Sequence, residues 1–171
     1  MSLRVTFWLI FALMLAVYGA MVIWTLPAIT AGAAGLLAFD LRPTGYSVEE
    51  ARIFLDSLSD EARAFYLGPQ RMLDMAYPAL LGLVLIGAIR SLFTHTALRW
   101  GLILIVTGGA IADYYENFLV ARMLVENQAA GDALITSASQ ATIVKSALGG
   151  LAMIAVLVAL AKAGFARWRK R

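Results

Sequence analysis

The sequence predicts an all-α fold: a bundle of four transmembrane helices with both termini cytoplasmic and an amphipathic, helical first outer loop. Three observations carry that prediction. Four apolar runs each approach the ~20 residues that cross a hydrocarbon core. They lie in a chain that is 61% hydrophobic with a mean hydropathy of +0.80, whereas soluble domains are roughly 45–50% apolar. Basic residues gather at one predicted end of the bundle, where acidic residues are absent. Ionisable residues inside the runs fall at matching depths on three different helices.

Residues 1–171 are read as one integral membrane domain with spans over about 5–27, 69–89, 100–121 and 138–161. The first run is longer than the ~7–15 apolar residues of a signal peptide, so it reads as a span. The loop over 28–68 begins with small residues and turns at Pro43, Thr44 and Gly45. Ser47 and Glu50 fit a capping box that opens a short helix, with Val48, Ala51, Phe54, Leu55 and Leu58 on its apolar face. Such a helix lies on the bilayer or on the bundle. Ser59 suits a second N-cap, with Asp60 and Glu61 at the positive helix start. Gly68–Pro69 predicts a chain break, with Pro69 in the first turn of the second span. A polar third loop is expected over about 125–136, and Ser137 with Gln140 predicts a capping box opening the fourth span.

Orientation follows from the cationic residues. Arg4, Arg90, Arg99, Lys162, Arg167, Arg169, Lys170 and Arg171 share one end, which the positive-inside rule assigns to the cytoplasm of a bacterial inner membrane. The tail around Trp168 reads as an interface anchor against anionic headgroups rather than as a nucleic-acid contact, because no basic folded face accompanies it. Trp8, Trp24, Tyr66 and Trp100 read as aromatic-belt residues.

Several chemistries are excluded. There is no cysteine, hence no disulfide or thiolate metal site. His95, the only histidine, cannot supply paired haem ligands or a di-iron motif, and it sits in the short cytoplasmic loop. No phosphate-binding glycine loop or Ser/His/Asp triad occurs. Met72 and Met75 are expected to pack between helices rather than bind metal. No metal and no cofactor is expected.

What remains is a polar constellation. Asp113, Glu116 and Asn117 stand on one face of the third span. At the helical rise, Asp113 lies about 13 Å below Arg122, Asp74 about 7 Å below Pro69, and Lys145 about 12 Å into the fourth span. All occupy one slab in the outer half of the membrane. Gln70 and Tyr77 share the Asp74 face, and Thr142 the Lys145 face. Small residues along both the Asp113 and Lys145 faces mark them as packing faces. Pro78 removes the usual partner of the Asp74 carbonyl, leaving that oxygen for a ligand or water. Ionisable groups at this depth cost at least ~2.5–3.5 kcal/mol each and are functional by default. The excess of carboxylates calls for a proton, for Arg71 or Arg42, or for a cation or cationic ligand. The predicted site is therefore an outward-facing pocket of Asp74, Asp113, Glu116, Asn117, Lys145, Tyr77, Gln70 and Thr142, with Asp40, Arg42 and Tyr46 folded over its mouth. The expected partners are membrane lipids or an amphipathic small molecule, not nucleic acid. Two alternatives use the same chain. One is an intramembrane acid/base enzyme, a hydrolase or isomerase acting on a lipid or peptide through Asp113, Glu116 and Asp74. The other is an accessory subunit of a larger membrane complex.

Two resemblances of sequence and one of architecture bear on this reading. FDLRPTGYSVEEA (Phe39 to Ala51), FYLGPQRMLDMAYP (Phe65 to Pro78), DYYEN (Asp113 to Asn117) and TIVKS (Thr142 to Ser146) resemble an uncharacterised family of small four-helix proteobacterial membrane proteins. That resemblance implies topology and no activity. GGAIADYYEN, Gly108 to Asn117, is similar to a segment of lipoprotein signal peptidase, a four-span family with an acid/base pair of aspartates. The resemblance would place Glu116 on the catalytic aspartate of that segment, Asp113 on its asparagine and Asn117 on its arginine. The family's second aspartate has no counterpart before the fourth span here, so Asp74 or Asp132 would have to substitute. Sterol-isomerase-type four-helix proteins are similar in architecture only, with no matching motif.

Overall fold

The computed structural model describes residues 2–169, which fold into helices with no strand among them. Four helical stretches are long and apolar enough to cross a membrane: Leu3–Ala31, Asp60–Leu92, Thr96–Ala129 and Asp132–Trp168. Lys170 and Arg171, the end of the expected basic anchor, lie outside the described residues.

Each stretch outruns the apolar run that reveals it, because hydropathy marks only the part that suits lipid. The first comprises α1 (Leu3–Ala20), a wide π-helical turn over Met21–Thr25, and α2 (Leu26–Ala31). Pro27 follows that wide turn, which accommodates its missing N–H inside the continuous helix. The second comprises α4 (Asp60–Phe65), a π-helical turn over Tyr66–Gln70, and α5 (Arg71–Leu92). The break expected at Gly68–Pro69 is therefore absent. The wider turn accommodates the proline, and the helix runs through it. This shifts the start of the second helix from Pro69 back to Asp60 and brings Tyr66 onto the same side as Gln70.

α6 (Thr96–Glu126) begins at His95, whose Nδ1 accepts from the Leu98 N–H at 3.4 Å. The lone histidine is thus an N-cap in the tight Phe93–His95 connection. α6 ends at Asn127, whose positive φ of 51° is one that asparagine tolerates better than most residues. α7 (Asp132–Trp168) follows after a single 3-10 turn. The expected loop over 125–136 is consequently much shorter, and the capping box at Ser137 does not form. Ser137 lies inside α7, donating to the Ala133 carbonyl at 2.8 Å.

The segment between the first two spans is a folded cap. α3 (Val48–Ser57) carries the expected capping box, with Glu50 accepting from the Ser47 N–H at 2.7 Å and Ser47 Oγ from the Glu50 N–H at 3.1 Å. The Ser47 backbone N–H, and after it the Ser47 hydroxyl, hold the Glu50 carboxyl below the ordinary carboxylate range. Ser59 caps α4 as expected. Ala51, Phe54 and Leu55 are fully buried, packing with Phe39, Met123, Leu124 and Ile135. α3 therefore rests on the bundle end. Arg52 fastens it there, donating to the carbonyls of Gln128 and Ala130, each at 3.2 Å, and pairing with Asp132 at 2.6 Å. Gly45 turns the chain at φ 82°, and a Cβ there would strike Ser139 Oγ at 2.7 Å. That close approach lets Ser139 Oγ accept from the Tyr46 N–H at 2.8 Å.

The long helices form an arc rather than a closed ring. α1 packs on α5, α5 on α6, and α6 most extensively on α7. α7 also touches α5, but α1 and α7 form no comparable seam. Gly109 allows the tight α6–α7 approach, since a Cβ on it would lie 3.4 Å from Leu148 Cβ. Met72 and Met75 do not pack between helices as expected. They point outward, 76% and 51% exposed.

Candidate functional site

The polar residues of the three long helices meet beneath the cap. On α7, the Lys145 ammonium touches Glu116 Oε2, lies 3.2 Å from Asp113 Oδ1 and 3.9 Å from Asp40 Oδ1. Glu116 is fully buried. Its other oxygen accepts from the Thr142 hydroxyl at 2.5 Å, and that hydroxyl also contacts the Ala138 carbonyl at 3.0 Å. The i, i+3 spacing of Thr142 and Lys145 thus grips one carboxylate by both oxygens.

Asp74 is held differently. Its Oδ1 accepts from Gln70 Nε2 at 2.8 Å, and Gln70 Oε1 accepts in turn from the Thr25 hydroxyl of the first span. Gln70 and Thr25 are both fully buried. Lys145 does not reach Asp74, whose second oxygen accepts no hydrogen bond among the described residues. The Asp74 carbonyl, expected to be free because Pro78 lacks an N–H, is taken by Asn117 Nδ2 at 3.0 Å.

Asp40, expected over the mouth of the pocket, belongs to its wall. The short 3-10 turn Phe39–Leu41 buries Phe39 and points Asp40 inward, where Oδ2 accepts from the Tyr66 hydroxyl at 2.5 Å. Tyr66 is 2% exposed, so it is a partner of the cluster and not the belt residue expected of it. Arg42 does not cover the site. Its guanidinium donates to the Leu37 carbonyl at 3.1 and 2.7 Å and lies over the rings of Phe39, Tyr46 and Phe54 at 5.5, 5.9 and 5.4 Å. Tyr46 is buried under the cap, its hydroxyl 4.0 Å from Met123 Sδ. Burial, and then the nearby charges of Glu116 and Asp40, push that hydroxyl above the ordinary tyrosine range, so it stays neutral. Asp132, the other candidate for a second catalytic aspartate, is on the surface with Arg52, far in the fold from Asp113.

A cavity of about 320 Å³ opens at the gap between α1 and α7. Its polar wall is Asp40, Asp74, Asp113 and Lys145, and its apolar wall includes Met21, Val22 and Leu26 of the first span. Tyr18 and Tyr77 stack on each other at 5.7 Å and also line it. Gly149 and Gly150 leave α7 low at this point, with nothing within 4 Å of where a Cβ would stand on either. On the far side of Asp74 a space of about 10 Å³ is lined by Tyr66, Arg71 and Asn117.

No family model matches this chain, and neither a curated protein nor a solved structure is similar to it. The geometry alone must carry the functional reading, and it divides the cluster in two. Glu116, Thr142 and Lys145 form a closed lock between α6 and α7. Asp74 and Asp113, with Asp40 and the stacked tyrosines, face the cavity. The sequence does not mark Tyr18, Gly149 and Gly150, which line the cavity, or Thr25 and Tyr66, which bond Gln70 and Asp40 behind it, as site residues. Tyr66 could have been found: with the helix continued through Pro69, it falls at i−4 from Gln70 and i−8 from Asp74.

Proposed function

We propose that this chain is a small polytopic protein of a bacterial inner membrane whose polar cavity binds an amphipathic ligand, entering sideways between the first and fourth spans from the outer leaflet. Both termini face the cytoplasm in this reading and the cap lies outside. One observation carries it: the cavity between α1 and α7 sets buried carboxylates beside an apolar wall, in a space of about 320 Å³. Ligand sites run to ~300–1,000 Å³ and combine apolar walls with a few placed polar groups. A headgroup would meet Asp74 and Asp113, while its chain would lie along Met21, Val22 and Leu26.

Binding is favoured over acid/base catalysis because, of the three carboxyls that such chemistry would use, Asp113 and Glu116 lie against the Lys145 ammonium and Asp74 alone is left free at the cavity. A proton-transfer pair needs a group free to give or take a proton at the substrate.

The orientation is tested by single cysteines, which need no background removal because the chain has none. With a membrane-impermeant maleimide on spheroplasts, Thr44→Cys in the cap is expected to label, and Thr94→Cys between α5 and α6 only after lysis. The reverse pattern would invert the topology. Occupancy is tested by native mass spectrometry of protein extracted in mild detergent. A retained amphiphile is expected on the wild type and not on Gly150→Leu, which fills the portal from α7 while adding a better helix former. Equal retention by both would remove the cavity from consideration.

A further inference from the structure

We infer that the occupant of this cavity is an alkylammonium amphiphile without a neighbouring phosphate, its N–H groups donating to Asp74 and its cationic head lying against Tyr18 and Tyr77. The inference rests on the binding function proposed above and specifies the chemistry of the ligand.

Charge points to a cation. Asp40, Asp74 and Asp113 line the cavity, and Glu116 lies directly behind it, against the single ammonium of Lys145. That ammonium is already shared by Asp40, Asp113 and Glu116, so it has little to offer an incoming anion. The two arginines that could have balanced the acids do not. Arg42 is held by the Leu37 carbonyl and three aromatic rings. Arg71 borders only the small space beyond Asp74 and pairs with no carboxylate among the described residues.

Asp74 is the acceptor most available to a ligand. It is 7% exposed, lines the cavity, and has one oxygen bonded by Gln70 and the other by no donor among the described residues. A carboxylate buried to that degree wants a partner on every oxygen. An ammonium supplies both the charge and the missing donor.

The class of cation follows from the remaining walls. No three of the acidic side chains converge as a metal site requires, among the described residues. Two tyrosine rings line the cavity instead, and aromatic faces attract organic ammonium groups. The apolar side, Met21, Val22 and Leu26, suits an alkyl chain. A phosphate next to the amine, as in a phosphoethanolamine lipid, would be set among carboxylates with no free cation to receive it.

The test uses the full chain in neutral maltoside micelles, titrated with dodecylamine, dodecyl phosphate and lysophosphatidylethanolamine, and read by native mass spectrometry and thermal shift. Saturable binding of dodecylamine is expected, with the other two at least about tenfold weaker. Asp74→Asn keeps the side-chain shape and the Gln70 contact and should weaken the amine by about 10–100-fold, the worth of a charge-assisted hydrogen bond. Tyr77→Leu should weaken it by about threefold or more. Gly150→Leu should abolish it without touching the acids. If dodecyl phosphate binds as well as the amine, and Gly150→Leu removes both, the ammonium assignment is wrong while the amphiphile-binding function stands. If lysophosphatidylethanolamine equals dodecylamine, a lipid headgroup replaces the free amine. If amine binding survives Asp74→Asn unchanged, Asp74 is not its acceptor. If none of the three binds in a Gly150-dependent way, both the ammonium assignment and the binding function fail.

Discussion

Lys145→Ala is expected to lose most folded protein, at a cost of about 3–5 kcal/mol. Among the described residues Lys145 is the only cation contacting Glu116, which is fully buried, and it also touches Asp113 and Asp40. Removing it leaves the carboxylates facing one another in a poorly solvated interior, the situation that makes breaking a buried pair far more damaging than replacing it. The shape change is secondary, since the side chain sits beside open cavity space. The companion variant separates charge from packing. Lys145→Met with Glu116→Gln keeps the bulk of both side chains and the Thr142 hydrogen bond while removing the pair. That double variant should recover the part of the loss that belongs to fully buried Glu116, because a neutral replacement of a buried pair is often close to neutral in stability, while Asp113 and Asp40 still lose their cation. Thermal unfolding of the purified protein in detergent reads both. A Lys145→Ala protein as stable as wild type would mean that Lys145 does not hold α6 to α7 and serves the cavity instead.

This lock was partly legible in the sequence. Helix spacing and depth place Asp74, Asp113, Glu116, Asn117 and Lys145 in one slab, and the contacts join them in two sets, Asp113 and Glu116 on Lys145, and Asp74 on Asn117. The same reasoning could not say which carboxylate the lysine would choose. Face and depth locate a Cα to within a turn, whereas ion pairing is decided by the last few ångströms of side chain. Asp40 is named from sequence at the mouth of the pocket, but its inward turn into the wall was beyond reach for another reason. Its position depends on a three-residue turn that buries Phe39, and a turn of that length carries no periodicity.

Two further gaps have physical causes. Thr25 lies in an apolar run, where a hydroxyl that bonds its own helix is ordinary, so nothing in the sequence marks it as the donor to Gln70. The open side of the bundle was equally hidden. α1 is apolar on nearly all faces, so its pattern does not distinguish the side against α5 from the side toward the gap. Pro69 misled in the opposite direction, since proline usually ends a helix and here a wider turn absorbs it.

Asn117→Ala is expected to be the next most damaging single change, by about 1–3 kcal/mol, and its cost should depend on a residue it does not touch. Asn117 Nδ2 donates to the Asp74 carbonyl, which would ordinarily accept from the N–H four residues later. That residue is Pro78, which has none. Truncating Asn117 therefore leaves a buried carbonyl without its protein donor. Pro78→Ala restores an N–H at the right place. In its presence Asn117 has a competitor for the same oxygen, and Asn117→Ala should become nearly silent. The cycle of wild type, the two single variants and the double variant should show non-additivity comparable to the Asn117→Ala cost itself, far above the ~0.3–0.5 kcal/mol expected of independent sites. Additive costs would mean that Asn117 stabilises the protein by packing, and that the carbonyl freed by Pro78 is satisfied some other way. The cycle also bears on the cavity, because Asp74 presents its carboxylate to the ligand space and its carbonyl to Asn117. A protein that retains stability in the double variant but binds amine less well would show that Pro78 and Asn117 together aim Asp74, beyond repairing its backbone.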